Sequence, residues 1–161
     1  MINRIIYMSE TEIKVIRNNL IRNQDVFVAE IDGELVKTEK DYVQSMINAF
    51  KFPFKLTQMK IGWCNDYLYD LSWIKEKIII LIVYNFKQML TDEEEKKSNI
   101  VKDYEEILLP WWEKDVVGHM VGGTTREFII YFQIWIYGLR EAIMNSIDAE
   151  KQEELLAIIS D

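Results

Sequence analysis

The run of residues from Ile78 to Tyr84 is almost continuously β-branched or aliphatic, and it constrains the possible folds more than any other part of the sequence. A strand that is apolar on both sides is typical of a parallel sheet whose two faces are covered by helices. The run is far too short to cross a bilayer as a helix. The sequence therefore predicts a buried central strand in an α/β domain.

Two further β-prone runs complete the predicted sheet. The first extends from Val26 to Ile31 and stops at Asp32-Gly33, a pair that suits a tight turn. The other extends from Phe128 to about Ile134. Because helical patterns separate the strands and crossovers between parallel strands are right-handed, we expect a small, mainly parallel three-stranded sheet packed by helices.

Four helices are predicted before the last strand. The first begins at a capping box of Ser9 and Glu12, and the second ends before Pro53. A third extends from about Thr57 to Ile74, and Pro110 kinks or ends the fourth. Apolar residues at helical spacing form one stripe on each of the last two helices: Cys64, Tyr67, Leu68 and Leu71 on the third, and Ile100, Tyr104, Ile107, Leu108 and Trp111 on the fourth.

The composition fits one domain that folds without disulfides or metal. About half of the 161 residues are apolar, which suffices for a real core. We divide the domain, residues 1–161, into a core of about residues 26–134, an N-terminal extension of residues 1–25 and a C-terminal helical extension of residues 138–161. Apolar residues recur at helical spacing in the C-terminal extension.

The net charge of −8 argues against nucleic acid as a direct ligand, because clustered Lys and Arg bind phosphate backbones. It favours a basic protein as the partner. Met1 to Glu10 lacks the basic start and apolar stretch of a signal peptide, and no run suggests membrane insertion. A lone cysteine, Cys64, is usual in a reducing compartment, so we expect a cytoplasmic protein. The oligomeric state stays open.

Patterns typical of catalysis are weak in this sequence. His119 is the sole histidine and the lone cysteine has no neighbour at ligand spacing, so we expect no metal and no cofactor. The glycine-rich segment from Gly118 to Thr125 lacks the lysine of a phosphate loop, which favours a connecting loop. Asp66 and Asp70 could act as an acid–base pair, but no cleft is evident around them. Trp111-Trp112 could form a binding platform, although packing is the commoner role.

Three features occur in a suggestive order: the Ile31-Asp32-Gly33 turn, a helix ending at Phe52-Pro53, and a helix from Asn65 to Trp73 that leads into the buried strand. The most specific feature is the pattern Asp-x-Leu-x-Asp-Leu-x-Trp, from Asp66 to Trp73. Together they resemble the barstar family of ribonuclease inhibitors over about Val26 to Phe132. The resemblance implies a three-stranded parallel sheet packed by helices, and an acidic helix that plugs the active site of a nuclease.

The resemblance also implies which residues meet the partner. When the family pattern is aligned from its final tryptophan, Trp73 in this sequence, Asp66 is the counterpart of the aspartate that takes the place of an RNA phosphate. Gly62 falls where the family usually has a second functional aspartate. Asn65 occupies a contact position that is aromatic in the family. Tyr69 would supply an aromatic ring to the interface, and Asp70 would extend the acidic surface. On one helix, Gly62, Asp66, Tyr69 and Trp73 would share an outward face.

We therefore expect an immunity-type inhibitor, or antitoxin, that neutralises a ribonuclease toxin and catalyses no reaction. Two other interpretations stay open. A barstar-fold module could recognise another protein without inhibiting a nuclease, as the absent aspartate at Gly62 suggests. An enzyme could use Asp66 and Asp70 as its acid–base pair.

Overall fold

The computed structural model describes residues 4–114 and 127–134, without the side chains of Glu113 and Lys114. The predictions for His119, for the loop from Gly118 to Thr125 and for the C-terminal extension of residues 138–161 lie outside these residues. The α/β class predicted from the sequence is confirmed by the described part of the chain.

The described strands form a four-stranded, all-parallel sheet in the order β1-β4-β3-β2. Strand β3 lies between two neighbours, and its Leu81 pairs with Ala29 on one side and with Ile130 on the other. The side chains from Ile79 to Val83 are all buried, as the continuous apolar run predicts. The strands are β1 (Arg4–Met8), β2 (Val26–Asp32), β3 (Ile78–Tyr84) and β4 (Glu127–Gln133).

The predicted number of three strands is wrong, because β1 adds a fourth strand at the edge of the sheet. It pairs with β4, with Ile5 opposite Ile130, and the Ile134 N–H donates to the Met8 carbonyl at 2.8 Å. Each of its five residues keeps some exposure, since an edge strand pairs on one side only. Such a strand lacks the continuous apolar pattern of β3. Part of the predicted N-terminal extension therefore belongs to the sheet.

Different helices cover the two faces of the sheet. On one face, Ile13 of α1 (Glu10–Leu20) packs against a cluster that includes Ile80 and Tyr131. The other face carries the larger core cluster, to which four helices contribute: α2 (Glu39–Ala49), α3 (Ile61–Asp66), α4 (Glu94–Asp103) and α5 (Leu109–Lys114). Within residues 4–114 and 127–134, no helix has the length and apolar character needed to cross a bilayer.

Side-chain caps set the starts of α1 and α2. The Ser9 hydroxyl accepts the Glu12 N–H at 3.1 Å, which confirms the predicted start of α1. Thr38 and Asp41 form a complete capping box at α2, in which each side chain accepts the backbone N–H of the other residue. Both helices therefore begin where the sequence supplies an acceptor for their free N–H groups.

The third helix is shorter than the predicted span from Thr57 to Ile74. Helix α3 ends at Asp66 and tightens into a 3₁₀ turn from Tyr67 to Tyr69. Leu71 then adopts a left-handed backbone conformation with φ of 48°, which an α-helix cannot continue through. The apolar spacing around Leu68 therefore predicted burial correctly and helix length incorrectly.

The fourth predicted helix continues through Pro110 by means of a π turn. Tyr104 to Leu108 form this turn between α4 and α5, and the Leu109 N–H donates to the Tyr104 carbonyl five residues earlier. In a regular α-helix the proline ring would collide with the carbonyl of Glu106, four residues before it. The wider turn directly before Pro110 therefore lets the chain stay helical to Lys114.

Candidate functional site

The residues predicted to meet a partner lie on α3 and on the turns that follow it. Cys64, Leu68 and Leu71 are fully buried and fasten this segment to the core. The predicted contact residues differ in exposure: Gly62, Asp66 and Asp70 are exposed, Tyr69 and Trp73 are half-buried, and Asn65 is buried. Asp66 is therefore accessible from outside while its apolar neighbours hold the segment down.

Asn65 lies in the interior, with 5% of its surface exposed. This burial corrects the prediction that Asn65 contacts a partner directly. The Tyr42 hydroxyl donates to Asn65 Oδ1 at 3.0 Å, and the Tyr42 and Tyr104 hydroxyls share a short hydrogen bond. The side chain of Asn65 also lowers the pKa of the Asp103 carboxyl, against the larger effect of burial, which raises it. A buried amide requires such partners, because an unpaired polar group in the core costs about 1–3 kcal/mol.

Asp103, at the end of α4, is a site residue that the sequence analysis missed. Burial raises the pKa of its carboxyl, the hydrogen bond from Asn65 opposes that rise, and the negative charge of Asp66 adds to it. The charges of Asp103 and Asp66 also raise the pKa of the Tyr69 hydroxyl, although burial is the larger cause. The carboxylates of Asp66 on α3 and Asp103 on α4 therefore both influence the Tyr69 hydroxyl. The only sequence signal is that Asp103 follows Ile100 by three residues, which places it beside the core stripe.

Two neighbouring tryptophans fasten α5 to the turn after α3. The Trp112 indole N–H donates to the Leu68 carbonyl at 2.8 Å, and this side chain is 1% exposed. The Trp111 indole N–H donates to the Tyr69 carbonyl at 3.1 Å, and the Trp111 and Tyr69 rings meet edge to face with centroids 5.8 Å apart. Trp112 is therefore a packing residue, whereas Trp111, at 38% exposure, borders the surface beside Tyr69.

An exposed tryptophan, Trp63, extends the same surface along α3. Its side chain is 49% exposed, and it precedes Asp66 by three residues, a spacing that makes two side chains neighbours on a helix. A Cβ atom added to the adjacent Gly62 would meet no atom within 4 Å. We name the surface formed by Trp63, Asp66, Tyr69, Asp103 and Trp111 the acidic-aromatic face.

Trp73 does not share a helix face with Asp66, because α3 and its 3₁₀ turn end before it. Its indole N–H donates to the Phe50 carbonyl at 2.8 Å. Its ring packs against Phe52 and Phe54, with centroid distances of 5.3 and 5.7 Å. Trp73 therefore has a structural role, in which it holds the loop after α2, and its predicted contact with a partner stays a prediction.

Two cavities in the described part of the chain can be compared with the predicted acid–base pair of Asp66 and Asp70. A cavity of about 500 Å³ lies between α2 and the loop from Phe52 to Met59, and another of about 320 Å³ lies beside Tyr7 and α4; neither carboxylate lines either cavity. Among residues 4–114 and 127–134, no three histidine, cysteine or carboxylate side chains are placed to bind a metal.

The chemistry available at the acidic-aromatic face is recognition of a cationic surface, because the exposed carboxylate of Asp66 lies among aromatic rings on a firmly packed segment. Comparison of the chain with known proteins found no match among protein-family models, curated proteins or solved structures.

Proposed function

We propose that this protein is an inhibitor that binds a basic ribonuclease and occupies its active site with the acidic-aromatic face. The observation that carries the proposal is the exposed Asp66 on α3, among the exposed or half-exposed rings of Trp63, Tyr69 and Trp111. A nuclease active site presents cationic groups that hold the phosphate of RNA, and a carboxylate can take the place of that phosphate. The resemblance of the segment from Asp66 to Trp73 to the barstar family supports the same reading.

The aromatic residues around Asp66 support binding to a protein. Tryptophan and tyrosine are the residues most enriched where interfaces gain their energy, because they contribute large areas with few rotatable bonds. Trp63, Tyr69 and Trp111 provide such rings within the face. A charged residue surrounded by rings can lose its water on binding, which strengthens its attraction to a cation.

The rigid attachment of the segment also favours tight binding. Cys64 and Leu68 are fully buried, and the indole N–H groups of Trp111 and Trp112 fix the backbone of the 3₁₀ turn. A segment that is already ordered loses little conformational entropy when it binds. We therefore expect the face to bind in the conformation described here.

The overall charge supports a basic partner. A net charge of −8 would attract a positively charged nuclease over a distance, and such steering raises association rates toward about 10⁸–10⁹ M⁻¹s⁻¹ at low salt. An inhibitor that protects its own cell would act in the cytoplasm. Burial raises the pKa of the Cys64 thiol to about 12, so the lone cysteine would stay inert there.

The experiment that tests the proposal is calorimetric titration of the protein with small basic microbial ribonucleases, combined with an RNA-cleavage assay. We expect tight binding with loss of cleavage for at least one of them. Asp66→Asn should weaken that binding by about tenfold or more. The control, Glu105→Gln, removes one charge from a residue that lines the cavity beside Tyr7 and is not part of the acidic-aromatic face. It should change the affinity by less than about threefold.

A second candidate function is recognition of a protein that is not a nuclease. It is favoured by Gly62, which leaves an open position where the resembled family usually has an aspartate. A cross-linking side chain introduced in place of Trp63, followed by mass spectrometry of the cross-linked partner, distinguishes the two candidates. A non-nuclease partner whose binding depends on Asp66 would favour this second function.

A further inference from the structure

Lys97 of α4 is a buried lysine that has no carboxylate partner in the described part of the chain. The residue is 8% exposed, and its Nζ atom donates to the Lys87 carbonyl at 3.0 Å. The same atom lies 4.6 Å from the centroid of the Phe86 ring. Among residues 4–114 and 127–134, no carboxylate forms a salt bridge with Lys97. This is unusual, because buried charges are normally paired with an opposite charge.

The surroundings of this ammonium satisfy it only in part. A lysine ammonium has three N–H donors, and among the described residues the Lys87 carbonyl alone accepts a hydrogen bond from it. The Phe86 ring adds a favourable cation–π contact. Burial lowers the pKa of Lys97, the charge of Glu94 opposes that effect, and the charge of Lys87 adds to it. The surroundings therefore disfavour the positive charge, and an anion beside it would favour it.

Lys97 lines a cavity of about 320 Å³, which lies between α4, Tyr7 of β1 and Phe86. Small-molecule sites in proteins have volumes of about 300–1,000 Å³, so this cavity suits a small ligand. The side chain of Val101, which is half-buried, and the ring of Tyr7, which is 46% exposed, provide apolar surface within it. The cavity thus combines a buried positive charge with apolar walls.

The other charged residues that line the cavity are Glu94, Lys102 and Glu105, and all three are exposed. Water and salt screen exposed charges strongly, whereas a buried charge is screened much less. Lys97 therefore determines which sign of charge the interior of the cavity binds, although two of the three exposed residues are acidic.

The cavity lies at the carboxyl end of the parallel sheet. Tyr7 is near the end of β1, and Phe86 follows the end of β3. Between them, Phe132 near the end of β4 stacks on Phe86 with centroids 4.0 Å apart and meets Tyr7 at 5.4 Å. β1 leads to α1 on one face of the sheet, and β3 leads to α4 on the other. Open parallel sheets bind ligands beyond the carboxyl ends of strands whose connections leave to opposite faces.

We propose that this cavity binds a small organic anion with a flat apolar body, and that Lys97 pairs with the anionic group. The anion would accept the N–H groups that Lys97 does not donate to Lys87, and such charge-assisted hydrogen bonds are strong where water is scarce. The apolar body would lie against Tyr7. No residue of the acidic-aromatic face lines the cavity, so this site is independent of the proposed function.

The experiment titrates the full chain with three probes, by calorimetry and by NMR of the backbone amides. Indole-3-acetate carries both a flat ring system and a carboxylate. Indole-3-acetamide keeps the rings without the charge, and acetate keeps the charge without the rings. We expect indole-3-acetate to bind at least about tenfold more tightly than either of the others. The largest amide shifts should fall on Tyr7, Phe86 and residues 97–101.

Lys97→Met tests the role of the ammonium, because methionine keeps an unbranched apolar side chain and removes the charge. It should weaken the binding of indole-3-acetate about tenfold or more, and should leave the affinity for indole-3-acetamide unchanged. Lys102→Met is the matched control. It removes an exposed positive charge that lines the same cavity, and should change the affinity for indole-3-acetate by less than about threefold.

Three results would overturn the proposal: no binding of indole-3-acetate, equal affinity for indole-3-acetate and one of the other two probes, or amide shifts confined to residues away from the cavity. These comparisons use the wild type alone, so they decide the question even if Lys97→Met does not fold. Equal losses of affinity in Lys97→Met and Lys102→Met would also overturn it, because the buried ammonium would then have no special role. None of these results bears on the binding of a ribonuclease through Asp66.

Discussion

The indole N–H of Trp112 donates to the carbonyl of Leu68 at 2.8 Å, and this bond joins α5 to the turn that follows α3. Trp112 also packs edge to face on Phe128 of β4, with ring centroids 5.6 Å apart. One side chain thereby links the sheet, the last described helix and the segment that carries Asp66. The position of the acidic-aromatic face depends on this link.

Trp112→Phe should lower the free energy of unfolding by about 2–3 kcal/mol, because it leaves the Leu68 carbonyl unpaired in the core and removes buried ring area. Urea unfolding monitored by circular dichroism measures the loss. Trp111→Phe is the matched control: it removes the bond to Tyr69 at a more exposed site, where water can replace the donor, and should cost less than about 1 kcal/mol. Equal losses would contradict the distinct roles assigned to the two tryptophans.

Gly62→Ala should stabilise the protein by about 0.5–1 kcal/mol. Gly62 is helical, the added Cβ atom meets no atom within 4 Å, and alanine loses less backbone entropy on folding. Gly33→Ala should act in the opposite direction and cost more than about 1 kcal/mol, since its Cβ atom would lie 2.5 Å from the Asn85 carbonyl oxygen. Thermal unfolding of both variants checks the prediction, which fails if Gly62→Ala is destabilising.

Asp103→Asn should stabilise the free protein at neutral pH. The pKa of Asp103 is raised by burial and by Asp66, so the folded protein binds more protons at this site than the unfolded chain. Its contribution to stability is therefore present below the unfolded pKa and is lost as the pH rises through the folded pKa. Urea unfolding between about pH 3 and pH 7 should show the variant and the wild type converging at the acidic end. A constant difference would contradict the assignment.

Glu30 should respond to pH with the opposite sign. Burial favours its neutral form, but hydrogen bonds from Arg17 and Tyr84 and the charge of Arg17 outweigh burial and lower the pKa of Glu30. The resulting stability is present above the unfolded pKa and is lost as the pH falls through the folded pKa. Arg17 Nε contacts both carboxylate oxygens, at 3.0 and 2.9 Å.

Arg17→Gln should therefore cost about 1 kcal/mol at neutral pH, and the difference from the wild type should shrink in acid. Lys14→Gln provides the control on the same helix. It breaks an exposed pair with Glu10 at 2.8 Å and should change stability by less than about 0.5 kcal/mol. Equilibrium unfolding in urea at several pH values compares the two, and a larger effect at Lys14 would contradict the prediction.

The parts of the fold that could be predicted are those with a strong periodic or continuous apolar pattern. The run from Ile78 to Tyr84 predicted the central strand, and β2 and β4 lie where the neighbouring apolar runs indicated. Strand β1 could not be recognised in this way, because an edge strand of five partly exposed residues needs no continuous apolar pattern. Its assignment depends on its pairing with β4, which lies far away in the sequence.

The candidate site was predictable only in part, for a similar reason. Exposure of Asp66 and burial of Leu68 follow from helical spacing. The end of the helix depends on the left-handed Leu71, and the burial of Asn65 depends on Tyr42 and Tyr104, which come from other helices. Tertiary contacts of this kind leave no periodic signal in the sequence, and the same holds for the electrostatic effect of Asp66 on the pKa of Asp103.

The most direct test of the proposed function is the affinity of the wild type and of Asp66→Asn for a small basic ribonuclease, measured by calorimetry with RNA cleavage assayed in parallel. We expect that the wild type binds tightly and blocks cleavage, and that Asp66→Asn folds normally but binds about tenfold more weakly or worse. Equal affinity and equal inhibition by the two proteins would contradict the central role of Asp66.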